Sequence, residues 1–308
     1  MNYPPNIDPK KETAGITDFI KKTFNKTGKK HAVIAVSGGV DSATSLFLTA
    51  KALGPQNITC LFLPAKATDP IHWEHILRSC KVARIPQENI LTIPIGGIIQ
   101  KTWNRIKHSS PIKLQEKATP YRKKMNQELA LLNHLRLANI AARARMTVVF
   151  DRAKLRNALV IGTENRSEHL LGYYTRFGDE ASDVEPIRHL YKTQVRELAK
   201  FLKVPKEIIE KPPTAGLWSG QTDEGELGFS YEEADPILYL HYEQQKSPKE
   251  IVKLLSGITQ RKTKEVERLT KKVLSHAEKM MFKHNLPYAI ENKGLFILPL
   301  SKPAFHPL

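Results

Sequence analysis

The stretch Ala35-Val36-Ser37-Gly38-Gly39-Val40-Asp41-Ser42 joins an apolar run, His31 to Val36, to an amphipathic one, Asp41 to Leu53. The first run reads as a buried strand and the second as a helix, so the string between them is a strand-to-helix turn. Gly38 and Gly39 let the backbone come close to an oxyanion, the helix N-terminus aims N–H groups at it, and Ser37 and Ser42 offer hydroxyl donors. Asp41 is out of place in a cradle for bare phosphate, because like charges repel, but it fits if Mg²⁺ lies between it and the phosphates. A Gly-Gly pair alone marks an ordinary turn. The whole Ser-Gly-Gly-x-Asp-Ser string in this context reads as a functional phosphate cradle built from Ala35 to Ser42. No Gly-Lys-Ser/Thr follows it, which argues against a Walker-type kinase or GTPase.

Outward from this turn, apolar runs alternate with amphipathic stretches, the pattern of an α/β protein. Ile58 to Leu63 and Ala158 to Ile161 read as further strands, Glu88 to Ile95 as another, and Ile71 to Val82 and Tyr191 to Leu202 as helices. Leu129, Leu132, Leu135, Ala138, Ala142 and Met146 recur at three or four residues and mark a long helix with one apolar face. Lys113 to Tyr121, bracketed by Pro111 and Pro120, reads as a polar surface loop, and Lys211 to Gly228 as an ordered loop without an element of its own. From Ser247 the chain is helical and basic, with Arg261-Lys262-Thr263-Lys264 as a solvated face. The expected organisation is an N-terminal arm or helix over 1–30, one domain over 31–290 and a tail over 291–308.

The 308 residues, 41% of them apolar, can supply a substantial core. A net charge of +17 favours anionic partners in general without choosing among them. Cys60 and Cys80 match neither a disulfide framework nor a zinc site and read as packing residues in a reducing compartment. The first fifteen residues lack the apolar stretch of a secretory signal, and no later run reaches the roughly 18 apolar residues of a membrane span. A soluble cytoplasmic protein is expected.

The turn resembles the pyrophosphate loop of the ATP pyrophosphatases, and five further blocks resemble the NAD synthetase branch of that superfamily. They are Arg143-Ala144-Arg145-Met146, Leu159 to Glu168, Leu171 to Asp179, Leu190 to Val195, and Pro213 to Gly228 with its Gly220-Gln221-Thr222-Asp223-Glu224-Gly225-Glu226-Leu227-Gly228 string. Together they cover most of Val33 to Tyr231 in the family's order. The resemblance implies a parallel sheet with helices on both faces, of the adenine-nucleotide α-hydrolase-like type, and a homodimer with the long helix at its interface. It implies amidation of deamido-NAD to NAD through an adenylate, using ATP and Mg²⁺ and releasing AMP and pyrophosphate. The glutaminase domain of glutamine-dependent relatives has no room in the 30 residues before the first strand, so free ammonia is the expected nitrogen donor.

Residue by residue, the resemblance places Mg²⁺ on Asp41 and Glu168, and ATP on Thr163, Lys192 and Thr214. Lys192 opens its helix, where the positive dipole end is a poor partner for a cation, and an incoming phosphate would relieve that conflict. The positions matching Arg143, Arg176 and Asp183 bind the dinucleotide, and Lys283 resembles the family's C-terminal substrate string. Asp179 and Glu226 are candidates for holding and deprotonating ammonium. This sequence departs from the family at Arg176, where Lys is common, at Gly216 and Gly225, where Asp is frequent, and at Phe282 and His284, which flank Lys283. Thr68 to Arg84 shows no family string, so adenine contacts are unassigned there. A tRNA-modifying ATP pyrophosphatase, which the positive charge would suit, and a non-catalytic nucleotide sensor share the same turn; intact Asp41, Glu168, Lys192 and Thr214 argue against the sensor.

Overall fold

The computed structural model describes residues 3–65, 70–107, 120–213, 222–259 and 261–284. Among them, four parallel strands form one sheet: β1 (His31–Ala35), β2 (Ile58–Phe62), β3 (Ile90–Thr92) and β4 (Ala158–Ile161), in the order β3-β2-β1-β4. In chain order the helices are α1 (Pro9–Thr27), α2 (Val40–Leu53), α3 (Pro70–Val82), α4 (Gly96–Ile106), α5 (Pro120–Leu155), α6 (Arg166–Leu171), α7 (Lys192–Phe201), α8 (Lys206–Ile209), α9 (Asp223–Leu227), α10 (Tyr231–Leu238), α11 (Pro248–Ile258) and α12 (Thr263–Met280).

The strands are apolar on both faces because both faces are covered. Ala32 and Ile34 of β1 point into a core shared with α1, α2 and α7, where Ile20, Leu46 and Leu198 are fully buried. Val33, between them, points the other way, into a core with Ala141, Ala144 and Val149 of α5. Ile34 lies beside Cys60 of β2 on one side and Ile161 of β4 on the other, so β1 is paired along both edges. A third cluster, with Tyr231, Ile237, Ile251 and Val273 at its centre, packs α6, α10, α11 and α12 together. Ile16, Ile20 and Phe24 of α1 belong to the same core as β1. Cys60 and Cys80 are both free and buried in that core.

Strand order fixes where a ligand can sit. The chain runs from β1 to β2 to β3 on one side, then crosses to β4 on the other, so the connections leaving β1 and β4 diverge. In open parallel sheets such a switch point forms a crevice at the carboxyl ends of the strands. The turn after β1 and the turn after β4 both open into it.

Several boundaries differ from the sequence expectation. The stretch expected as a strand from Glu88 to Ile95 is a strand only over Ile90–Thr92; Gln87–Asn89 forms a single 3-10 turn and Ile95 caps α4. The polar stretch read as a loop ends sooner, because Pro120 and Tyr121 already belong to α5, which Pro120 opens from the first helical turn; 111–119 lie outside the described residues. The loop expected to end at Gly228 contains α9, started by Thr222, whose hydroxyl accepts from the Gly225 N–H, and stopped by Gly228 at φ 71°. This Thr-cap and Gly-stop pair is a helix signal that its short length masks. Arg261 to Lys264 is exposed as expected, with Arg261 paired to Glu233 at 2.6 Å. No described helix is long and apolar enough to cross a membrane.

The turn after β4 is pinned by one close approach. The Gly162 N–H donates to the Val184 carbonyl at 2.8 Å, and a Cβ at Gly162 would collide with the Glu185 carboxyl. Glu185 accepts from the Ser182 hydroxyl at 2.7 Å and from the Glu164 N–H at 3.1 Å. Its burial lifts the carboxyl to about 8, against the pull of the Ser182 hydrogen bond and with help from the Glu164 charge. We expect Gly162→Ala to lower stability by about 1–3 kcal/mol in urea unfolding, the usual penalty for overpacking; an unchanged midpoint would contradict the close approach. Because Glu185 holds its proton more tightly folded than unfolded, its contribution to stability is complete below the ordinary carboxylate range and is lost as pH rises toward about 8. The melting-temperature difference between Glu185→Gln and wild type should therefore shift in favour of the variant from pH 5 to pH 8, and a constant difference would show that Glu185 titrates normally.

Candidate active site

The turn after β1 closes on itself. The Val36 N–H donates to Leu61, Gly38 adopts φ 78°, and Gly39 caps α2 with no side-chain hydrogen bond of its own. Ser37 and Ser42 bond to each other through their hydroxyls at 3.1 Å, and Ser42 also donates to the Gly39 carbonyl at 3.0 Å. These hydroxyls, expected at a phosphate, brace the turn. The start of α2 has no side-chain cap, and Val36 and Val40 beside it are buried.

Asp41, in the first turn of α2, faces Glu168 of α6 across the head of the sheet, and Lys192 of α7 lies between them. Its Nζ donates to Asp41 Oδ2 at 2.5 Å and to Glu168 Oε1 at 2.9 Å. The lysine side chain is 3% exposed, against 15% and 17% for its partners. Burial alone would push the Lys192 ammonium down, but Asp41 and Glu168 beside it carry it above the ordinary lysine range, so it stays charged. Glu168 is moved up, by burial first and by the Asp41 charge, with Lys192 pulling the other way. Two acids thus share one ammonium at the head of the sheet.

Residues not singled out by the sequence reading hold this group. Asn165, fully buried, donates from Nδ2 to Asp41 Oδ1 at 3.0 Å, and its Oδ1 accepts from the Glu168 N–H at 3.0 Å. One amide therefore ties both acids together. The signal was present in the sequence, since Asn165-x-x-Glu168 is a capping box, and the structure forms it. Asp223, at the start of α9 and 4% exposed, accepts from the Tyr231 hydroxyl at 3.3 Å, and the Tyr231 ring lies 5.1 Å under Lys192 Nζ. Burial lifts the Asp223 carboxyl while the Lys192 charge lowers it, which places Asp223 within the field of the same ammonium. Thr163 is half-buried just past β4, two residues before Asn165. Thr214 lies outside the described residues.

The residues expected at a dinucleotide gather around 172–176. Arg143 of α5 donates from Nε to the Arg176 carbonyl at 3.1 Å, and the Arg176 guanidinium lies 5.1 Å over the Phe282 ring. Lys283 Nζ donates to the carbonyls of Gly172 at 2.5 Å and Tyr174 at 2.8 Å. The sequence departure at Phe282 thus supplies a face for Arg176. Asp183 stands apart from these cations: it is exposed, accepts from the Val160 N–H at 2.8 Å, and lines an open cleft of about 460 Å³ with Phe150, Phe177, Glu180, Glu185 and Arg188. Asp179 and Glu226 take different partners. Asp179 accepts from the Thr175 N–H at 2.9 Å, whereas Glu226 accepts from the Tyr173 hydroxyl at 2.8 Å.

The family model described as NAD synthase matches residues 12–283. The NH3-dependent NAD(+) synthetase of Trichlorobacter lovleyi is 36% identical over 289 residues, spanning 94% of this chain and 93% of the relative. That of Methanocaldococcus jannaschii is 40% identical, over 77% of this chain and 83% of the relative. Among solved structures, an NMN synthetase from Francisella tularensis superposes with a TM-score of 0.71 at 27% identity, covering 92% of this chain and 99% of that one. An NH3-dependent NAD synthetase from Campylobacter jejuni gives 0.67 at 28% identity, covering 92% and 100%. With the family model matching nearly the whole chain and the relatives matching over most of their length, the chain belongs to the NAD synthase family.

Proposed function

We propose that this protein amidates deamido-NAD to NAD with ATP and free ammonia, releasing AMP and pyrophosphate. The observation that carries the reading is Lys192 held between Asp41 and Glu168 at the mouth of the turn after β1, in a chain matched from residue 12 to 283 by the NAD synthase model.

A carboxylate is a poor acyl donor because its leaving group would be oxide. Transfer of the α-phosphoryl group of ATP to the nicotinate carboxylate replaces that group with AMP, and pyrophosphate departs. The start of α2 offers its backbone to the departing charge, and Lys192, already desolvated and protonated, can turn its ammonium from the carboxylates to a phosphate oxygen. Two hard oxygen ligands converging on a single positive charge fit Mg²⁺, which proteins bind through one or two carboxylates together with substrate phosphates. Asp41 and Glu168 would hold it, and when bound it would neutralise charge on the β and γ phosphates. Arg143, Arg176 and Lys283 are placed for the anionic dinucleotide, with Asp183 on the adjoining cleft. Ammonia then attacks the acyl carbon, its surplus proton is lost, and AMP leaves. Glu226, fixed by Tyr173, and Asp179, fixed by Thr175, are the carboxylates we assign to ammonium. Leu132 and Leu135, 52% and 45% exposed on α5, support a dimer through that helix.

The structural likeness to an NMN synthetase gives a second reading, with nicotinate mononucleotide as the acid to be amidated. Purified protein incubated with ATP, magnesium and ammonium separates the two. We expect deamido-NAD to yield NAD and AMP in equal amounts, with a higher kcat/KM than the mononucleotide; the reverse preference would establish the second reading, and ATP turnover with neither acid would exclude both. Asp41→Asn should lower kcat by about 10²–10³-fold, the scale of losing one preorganised charge at a reacting centre, and wild-type turnover in that variant would remove Asp41 from the chemistry.

A further inference from the structure

The acid–lysine–acid group is held from behind by a carboxylate that touches none of its members' charged ends. Asp235 of α10 is fully buried. Its Oδ1 accepts from the Ser167 hydroxyl at 2.6 Å, and its Oδ2 accepts from the Thr193 N–H at 3.0 Å and the Thr193 hydroxyl at 2.8 Å. Ser167 precedes Glu168 on α6, and Thr193 follows Lys192 on α7. Ser167 also closes the circuit, because its oxygen accepts from the Lys192 N–H at 2.9 Å.

A buried anion met only by hydroxyls and a backbone N–H is costly unless something else favours it. The N-terminus of α7 does so. That helix opens with a lysine, so a cation sits at the positive end of the dipole, and the residue at its N-cap, Tyr191, makes no side-chain hydrogen bond to the turn. Asp235 supplies from another helix the acceptor that an N-cap Ser or Asp would supply locally. Burial lifts its carboxyl to about 6, with the Ser167 and Thr193 hydrogen bonds drawing it back down. Tyr231 lies four residues earlier on the same helix face and places its ring 5.1 Å from Lys192 Nζ. One face of α10 therefore reaches Lys192 from two sides, through Ser167, which donates to Asp235 and accepts the Lys192 N–H, and at the ammonium through the Tyr231 ring.

We propose that Asp235 is a positioning residue: by accepting from Ser167 on α6 and Thr193 on α7 it fixes the registry of those helices and so sets Lys192 Nζ between Asp41 and Glu168. It touches no substrate and acts through Lys192. The proposal rests on the reading of this group as an ATP site, but not on which acid is amidated.

The test is the affinity for ATP with magnesium, measured by titration calorimetry, which needs no turnover. Asp235→Asn keeps the shape of the side chain and loses one acceptor; it should raise the Kd by at least about tenfold, and the same substitution in a Lys192→Met background should change it by less than about twofold, because coupled residues are not additive. Ile237→Ala, fully buried on the same helix, should lower the melting temperature and leave the Kd within about twofold of wild type, as expected for a loss of packing without loss of position. Should Asp235→Asn fail to fold, Ser167→Ala and Thr193→Val each delete one donor and carry the test by the same criterion. Wild-type affinity in Asp235→Asn, or an equal loss with and without Lys192, would overturn the proposal. A wild-type protein that binds ATP but forms no amide would defeat the functional reading alone, and one that binds no ATP would defeat both.

Discussion

Lys192 carries an ammonium withdrawn from water, with a carboxylate on either side of it, and a charge in that position is stable only while all three groups stay in place. Removing one member of a buried ionic group leaves the others uncompensated, typically at about 3–5 kcal/mol. The three residues come from three different helices, so their meeting point constrains how α2, α6 and α7 sit on the sheet. The same arrangement is poised for exchange. A phosphate arriving with its own counter-ion can take over the ammonium while the carboxylates keep a positive charge to bind.

The sheet makes that meeting possible. β1 and β4 are neighbours in register, with Ile34 beside Ile161, so the turns that follow them leave the sheet side by side although more than a hundred residues separate them in sequence. Asp41 arrives on the helix after β1 and Asn165 and Glu168 on the helix after β4. Around this point the chain spends buried polar groups freely. Asn165, Ser167 and Asp235 are each fully buried, and each is hydrogen-bonded to a helix start or to a charged member of the group.

Much of this was legible in the sequence for identifiable reasons. The turn at Ser37 to Ser42 announced itself because glycine, serine and an acid between a buried strand and a helix have few structural uses, and Lys192 did so because a cation at a helix start conflicts with the dipole. Apolar runs alternating with amphipathic stretches mark an α/β protein, and the resemblance to the family implies the parallel sheet. What sequence could not supply was pairing across distance. Nothing local in Asp235 marks it as a partner of Ser167 and Thr193, since an acid in the middle of a short helix looks solvated until the helix is packed. That the Ser37 and Ser42 hydroxyls bond each other depends on the tightness of the turn, which no local pattern shows. Helix α9 escapes the sequence reading because only five residues separate its Thr-cap from its Gly-stop and leave too little periodicity between them, and β3 is shorter than expected because its flanking residues are apolar for other reasons, Ile95 in capping α4.

The central claim is that the Asp41, Glu168 and Lys192 group is the phosphate end of an ATP site. A crystal structure of the protein with a non-hydrolysable ATP analogue and magnesium measures this most directly. The account predicts β and γ phosphates at the start of α2, carboxylate oxygens of Asp41 and Glu168 at about 2.0–2.1 Å from the metal, and Lys192 Nζ on a phosphate oxygen. Nucleotide bound elsewhere, or phosphates in place with Lys192 still locked between both carboxylates and no metal on either acid, would contradict it.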